Sequence, residues 1–514
     1  MRAAYVALIV VILGQRMLAQ DQAFNRRYDL FGQQYGQFAY SIEQNGADGY
    51  AVVANTNYDD SVYLYITAAL IRLNAQGDVL SESKMLYGMS SVYGGWANNS
   101  VLASDGGVTI GGNTYPPSGI QQAAIIRYAA NGDSLWLREY GHEDDSWLGR
   151  QVNRTKDGGY ILAGEAADAS GDFVEAFLVK TDNVGNVQWQ RTYGGANPTC
   201  NAISVDTTAA EGYFVGGQFR VAANNQDLWV FRVDGDGDTV WSRHWGTSFN
   251  EPAAHLTTLS NGNPIIASAT GNVSNDYAAR MYQAELDQFD GHFVWQRYYG
   301  PLAVAGLTTA KEVRPGLGTI AAGGYEEPDS VGYLKGVLLR TAPGGDSLWM
   351  RTYVYYDSLI NDGIGIFRDV IPTPDNGFIA CGMTHGCYDF ANCPPGYGQD
   401  VWVVKVDSMG CLVPGCDDFS TAITVQATNL RDALSVFPNP AHGGTVAKVT
   451  LPAGSPFAND LRLRLVSAQG QEVLVQKAAL GENQVTLRGL AAGVFYLHLT
   501  SGSTWLSGTK LIVE

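Results

Sequence analysis

The sequence predicts an all-β protein, a seven-bladed β-propeller followed by a small Ig-like β-sandwich. Three observations predict it. A strand of the form VQWQRTYG, ending at Gly194, recurs as LWLREYG (to Gly141), VWSRHWG (to Gly246), VWQRYYG (to Gly300) and LWMRTYV (Leu348–Val354), with a degenerate copy, SESKMLYG, ending at Gly88. Its tryptophans, Trp136, Trp189, Trp241, Trp295 and Trp349, stand 53, 52, 54 and 54 residues apart. Past Cys416 the period stops and a different alternating pattern takes over.

Each unit has the same internal order. After the aromatic-Gly ending comes a variable loop, then an alternating segment such as GRQVNRT. A turn and second strand follow, as in DGGYILAGEA (157–166), AEGYFVGGQF and DNGFIACGMT; then a third strand, as in EAFLVKTD, DLWVFRVD and DVWVVKVD. A turn of the type DNVGN leads back into the Trp strand. The runs are short, rich in β-branched and aromatic residues, and bounded by Gly, Asp or Asn. Four strands in each unit of about 50 residues make a propeller blade.

Second strands occur near Tyr50, Val108, Tyr160, Tyr213, Pro264, Thr319 and Phe378, which gives seven blades. The seventh unit lacks its Trp strand, because KVDSMG runs into CLVPGC. NRRYDLFGQQYG (25–36) has the aromatic-Gly ending but no strands before it. Residues 24–416 are therefore expected to form one ring whose last blade is completed by the N-terminal strand 25–36. Such closure leaves no open edge, which an open β-solenoid of the same period would expose.

Composition narrows the function. Lys+Arg number 32 against Asp+Glu 50, a net charge of −18, which excludes the clustered basic footprint of a nucleic-acid binder. Residues 1–19 read as a secretory signal peptide, with Arg2, an apolar run from Val6 to Leu13 and the small residue Ala19 at the cleavage position. Five of the six cysteines lie between residues 381 and 416. In an exported chain this favours disulfides, with Cys411–Cys416 and Cys387–Cys393 as the local pairs, over a zinc site that would need histidines beside His385. Cys200 and Cys381 are left over.

The recurring residues resemble, in part, three known chemistries. The turn-plus-Trp pattern resembles the tryptophan-docking repeat of quinoprotein dehydrogenases in its packing device but not in a cofactor site, and no cofactor is expected. The Asp box of sialidase propellers is resembled only faintly. Its arginine cluster and acid pair would have to come from inner-strand residues such as Arg150, Arg154, Arg314, Arg368, Glu43, Glu312 and Asp369, which nothing in the sequence marks as a set. VDGDGDTVW (233–241) offers Asp234, Asp236 and Asp238 to a hard cation such as calcium, but an EF-type loop would need Gly and Glu where Thr239 and Trp245 stand. No Gly-x-Ser-x-Gly elbow, His-Glu-x-x-His or P-loop pattern is present. The loops that vary between blades, 142–147 and 353–362 above all, are where a rigid scaffold would carry binding.

Residues 417–432 are polar, free of the period, and read as a linker. From 433 to 514 alternating strands suggest a sandwich. This segment resembles the C-terminal sorting domain of type IX secretion cargo (the Por-secretion-tail type). The match lies in VFPNP (Val436, Phe437, Pro438, Asn439, Pro440), LVSAQGQEV (465–473), LAAGVFYLHL (490–499, with Gly493 and Tyr496) and GTKLIVE (508–514, with Lys510). The resemblance implies export to the surface of a Gram-negative bacterium through an outer-membrane translocon. It also implies a sortase-like peptidase and, in some cargo, a lipopolysaccharide anchor. The propeller is expected to act as a binding or adhesive module for a glycan or protein. A secreted glycoside hydrolase or sialidase-like enzyme using central-channel carboxylates, and a structural surface component, are the alternatives.

Overall fold

The computed structural model describes residues 23–514, except 33–35, 47–48, 60–63, 118, 143, 168–172, 195–198, 223–224, 249, 271–278, 327–333, 356–363, 386–398, 414–415, 417–424, 429–433, 452–460, 469–470 and 502–503. The expected signal peptide and the Cys387–Cys393 pair therefore lie outside the described residues.

Seven antiparallel sheets follow one another as blades: 38–84, 91–140, 146–193, 200–245, 255–303, 305–354 and 364–406. In each, strands run from the centre outward in chain order. The middle strands, such as Tyr160–Ala167 and Gln399–Val406, are buried along their whole length because neighbouring blades cover both faces. The outer strand Val187–Tyr193 is largely exposed.

The recurring W-x-R-x-Y strand is a latch between blades. Its Tyr hydroxyl donates to the carbonyl of a turn glycine in the next blade: Tyr140 to Gly185 (2.9 Å), Tyr193 to Gly237 (2.8 Å), Tyr299 to Gly345 (2.6 Å) and Tyr353 to Gly410 (2.7 Å). The indole N–H of Trp189, Trp241 and Trp349 donates to the same turn, at the carbonyls of Gly235, Gln288 and Ser408. Arg191, Arg243 and Arg351 reach the carbonyls of Asp236, Asp290 and Met409. The turn answers with a positive-φ glycine, at Gly77, Gly132, Gly185, Gly237, Gly291, Gly345 (preceded by Gly344, also positive) and Gly410. Glycine is required there by the left-handed backbone, and at Gly77, Gly185, Gly291, Gly345 and Gly410 also by the aromatic ring lying on it. At Gly291 (φ 73°) a Cβ would sit 2.8 Å from the Trp241 ring. Gly291→Ala should therefore lower unfolding free energy by about 2–4 kcal/mol, measured by denaturant titration, from backbone strain plus overpacking.

Closure uses the same latch. Phe24–Tyr28 pairs antiparallel with Val401–Lys405 as the fourth strand of blade 7. Phe24 takes the Trp position over Gly77, Arg26 pairs with Asp78 at 2.7 Å, and the Tyr28 hydroxyl donates to the Gly77 carbonyl at 2.8 Å. The expected strand 25–36 is thus corrected: it runs over Phe24–Tyr28, a short 3-10 turn follows over Leu30–Gly32, and Tyr28 is the latch tyrosine. Phe24 hides the relationship because it replaces the marker tryptophan.

The segment expected to be a plain linker holds a strand, Val425–Thr428, that adds in parallel to the outer strand of blade 6. Beyond it, two sheets form the C-terminal sandwich. One contains Ser435–Phe437, Val446–Leu451 and Gly481–Thr486; the other contains Leu461–Ser467, Glu472–Lys477, Gly493–Ser501 and Thr504–Val513. Leu463, Leu465, Val485, Leu497 and Leu511 fill its core. Cys411 and Cys416 are disulfide-bonded, as expected. Cys200 and Cys381 are buried in blades 4 and 7.

Candidate functional site

The inner strands build the central channel, and polar residues at their bulges stitch blade to blade. Gln151 accepts from the Val205 N–H (2.7 Å), Ser204 from the Leu256 N–H (3.1 Å), and Asp369 from the Ile42 N–H (3.1 Å). Each of these residues follows a register shift in its strand, which turns a side chain toward the free N–H of the next blade.

Blade 2 departs from the pattern. Its inner edge breaks into Ser91–Gly94 and Ser100–Leu102, and residues 95–99 (GWANN) cross into the channel. Trp96 N–H donates to the Arg150 carbonyl (3.0 Å) and Asn98 N–H to the Tyr40 carbonyl (2.8 Å). The Asn98 side chain accepts from Lys311 Nζ of blade 6 at 2.6 Å, across the ring. A Cβ on Gly95 would overlap the Arg150 carbonyl. This segment divides the channel into two cavities.

The first, of about 500 Å³, opens on the face where the variable loops lead into the inner strands. Trp96, Arg150, Glu165, His255 and Arg368 bring its polar chemistry, against apolar walls that include Ile203, Leu307, Leu334 and Ile366. Trp96 is 38% exposed, with the guanidinium carbons of Arg368 and Arg150 at 5.0 and 5.7 Å from its ring. Arg150 also pairs with Glu165, its Nε at 2.7 Å. Burial, helped by Arg368, pushes His255 down to about 3, so it is neutral.

The second cavity, of about 370 Å³, gathers Glu43, Asp206, Glu312 and Lys311. Burial pushes Glu43 up to about 8 and raises Asp206 and Asp369, with Lys311 opposing in all three. Asp206 accepts from Asn153, Thr207 N–H and Thr258 N–H, each at 2.7 Å. Glu312 accepts from Ser260 and from the Gly316 N–H. Among the described residues Glu43 accepts only from the Ser100 hydroxyl, at 3.3 Å.

A carboxyl whose folded pKa lies above its unfolded value favours folding at low pH and loses that contribution as pH rises. For Glu43 the loss runs from about 4.5 to about 8. Melting temperature should therefore fall across that window, and Glu43→Gln should flatten the fall; identical wild-type and Glu43→Gln profiles would contradict it.

Of the residues considered on inner strands, the ring brings Arg150 and Arg368 to the first cavity, and Glu43 and Glu312 to the second. Asp369 is buried between blades 7 and 1, and Arg314 meets Asn376 at the surface. Asp234 serves its own turn, accepting from the N–H groups of Asp236 (3.0 Å) and Asp238 (2.9 Å), as Asp182 and Asp407 do in theirs. Asp238 faces Arg191 at 3.5 Å. Among the described residues no three His, Cys, Asp or Glu side chains converge on a common point. In loop 142–147, Trp147 is buried against Phe177, and most of 353–362 lies outside the described residues. Trp96 was not foreseen; its signal is the GGWANN interruption of the repeat.

At the other end of the chain, Asn439 binds the terminal strand, donating to the Lys510 carbonyl (2.7 Å) and accepting from the Ile512 N–H (2.9 Å). Val436 lies in the first strand, Phe437 is exposed, and the peptides before Pro438 and Pro440 are cis. Gly493 pairs with Val513 and Tyr496 with Lys510. A family model for the secretion system C-terminal sorting domain matches residues 435–514. Residues 435–514 are a sorting domain. The chain is accordingly a repeat propeller fused to a type IX sorting domain, delivered to the surface of a Gram-negative bacterium, and the sorting domain implies engagement of the translocon and its sortase machinery. No curated protein matches the chain. Solved structures similar to it include the WD40 domain of SCAP from fission yeast (10% identity, 76% of this chain and 100% of that one, TM-score 0.35). The β-propeller domain of the Trilobed protease from Pyrococcus furiosus is another (8% identity, 71% and 95%, TM-score 0.39). A third is an alpha-L-arabinanase from Penicillium chrysogenum (9% identity, 75% and 98%, TM-score 0.36).

Proposed function

We propose that this exported propeller is a binding protein, holding its ligand in the cavity above the Trp96 segment, while the sorting domain delivers it for release or for attachment to surface lipopolysaccharide. The observation that carries this is the lining of the open cavity. Among the described residues its one carboxylate, Glu165, is tied to Arg150, so they hold no free acid and base paired as glycoside hydrolysis needs. Binding of glycans or other small ligands by the secreted protein, lost in Ala253→Trp at the cavity wall, would support it. Binding unchanged by Ala253→Trp would refute it.

A second reading, a hydrolase, is favoured by Glu43 alone. A carboxyl held protonated at neutral pH is the property of a general acid. Hydrolysis of a glycoside by the wild type and not by Glu43→Gln would establish that reading instead.

A further inference from the structure

Arg368, half-buried on the inner strand of blade 7, is a cation without a charged partner among the described residues. Its Nε is buried and unsatisfied, and among the described residues neither a hydrogen bond nor an ion pair reaches its guanidinium. The Trp96 ring is its close neighbour. A guanidinium partly withdrawn from water is ordinarily paired with a counter-charge. Arg150, on the other side of the same ring, has its counter-charge in Glu165. With His255 neutral, Arg368 is the cavity's uncompensated positive charge among the described residues, in a chain of net charge −18. A monoanion entering from outside would supply the counter-charge.

We infer that the first cavity binds an organic monocarboxylate with an apolar body, its carboxylate received by Arg368 beside Trp96 and its body seated against Ile203, Leu307, Leu334 and Ile366. This rests on the binding reading above and names the ligand class. A planar carboxylate matches the fork of a single guanidinium. A phosphate or sulfate dianion would call for a second free cation, and Arg150 is already occupied. The predominance of apolar wall selects against a fully hydroxylated sugar acid. A cavity of about 500 Å³ accommodates a small molecule of this kind.

The test uses the full secreted protein and a panel of aliphatic, aromatic and N-acyl-amino-acid monocarboxylates, each beside its primary amide, with inorganic phosphate as a further arm. Thermal shift and calorimetry should show at least one carboxylate binding roughly tenfold or more tightly than its amide. That preference should vanish in Arg368→Met, and all binding should vanish in Ala253→Trp. Unliganded Arg368→Met should melt at or above the wild-type temperature, since it removes an uncompensated charge. A fall of several degrees would mean that Arg368 holds the fold, and would overturn the inference. Equal binding of acids and amides, or preferential binding of phosphate, would overturn it while leaving the binding reading intact. Absence of any ligand would count against both.

Discussion

Removal of residues 433–514 is expected to strand a folded propeller in the periplasm, with surface delivery reduced to background. The two parts have separate cores: the sandwich closes around Leu463, Leu465, Val485, Leu497 and Leu511, while each blade packs on its neighbours. Loss of the tail therefore removes the recognised element without unmaking the ring. Surface labelling and fractionation measure the outcome, and normal surface display of the truncated chain would contradict the sorting role. Asn439→Ala is a finer version. It deletes the two hydrogen bonds that hold the Phe-Pro-Asn-Pro segment to the terminal strand. A destabilisation of about 1–3 kcal/mol follows, with a partial loss of delivery.

Phe24→Ala should be among the most damaging single changes in the propeller, at about 3–5 kcal/mol. Phe24 is 2% exposed and lies on Gly77 of blade 1 while belonging to blade 7. It therefore joins the two ends of the ring. Tyr28→Phe, which removes one hydroxyl hydrogen bond but keeps the ring, should cost only about 1 kcal/mol. Urea titration separates the two. Equal effects would mean that the closing strand is held by its hydrogen bonds and not by the aromatic seat.

The ring was legible in sequence because its joints are sterically demanding. A tryptophan lying on a positive-φ glycine leaves a residue pair that few substitutions satisfy, and the pair recurs at a fixed interval. Closure was legible for the same reason, but the latch tyrosine was misplaced because Phe24 carries the tryptophan's role. The sorting domain was legible as four blocks in order, the first of which holds Asn439, whose two hydrogen bonds to the last strand give it its reason. The site was legible only in part. Arg150, Arg368 and Glu43 could be placed on inner strands by the period, but which of them share a cavity depends on contacts across the ring. The Trp96 segment that separates the cavities is an interruption of the repeat, held by Asn98–Lys311 over 213 residues of sequence. No local pattern encodes a contact of that span.

Closure by the N-terminal strand is the claim on which the ring, its channel and both cavities depend. Native-state amide exchange along Gln399–Val406 tests it most directly. A closed ring predicts that amides facing Phe24–Tyr28 are protected as strongly as those in the middle strands of other blades. Rapid exchange on that side, as at an open sheet edge, would contradict it.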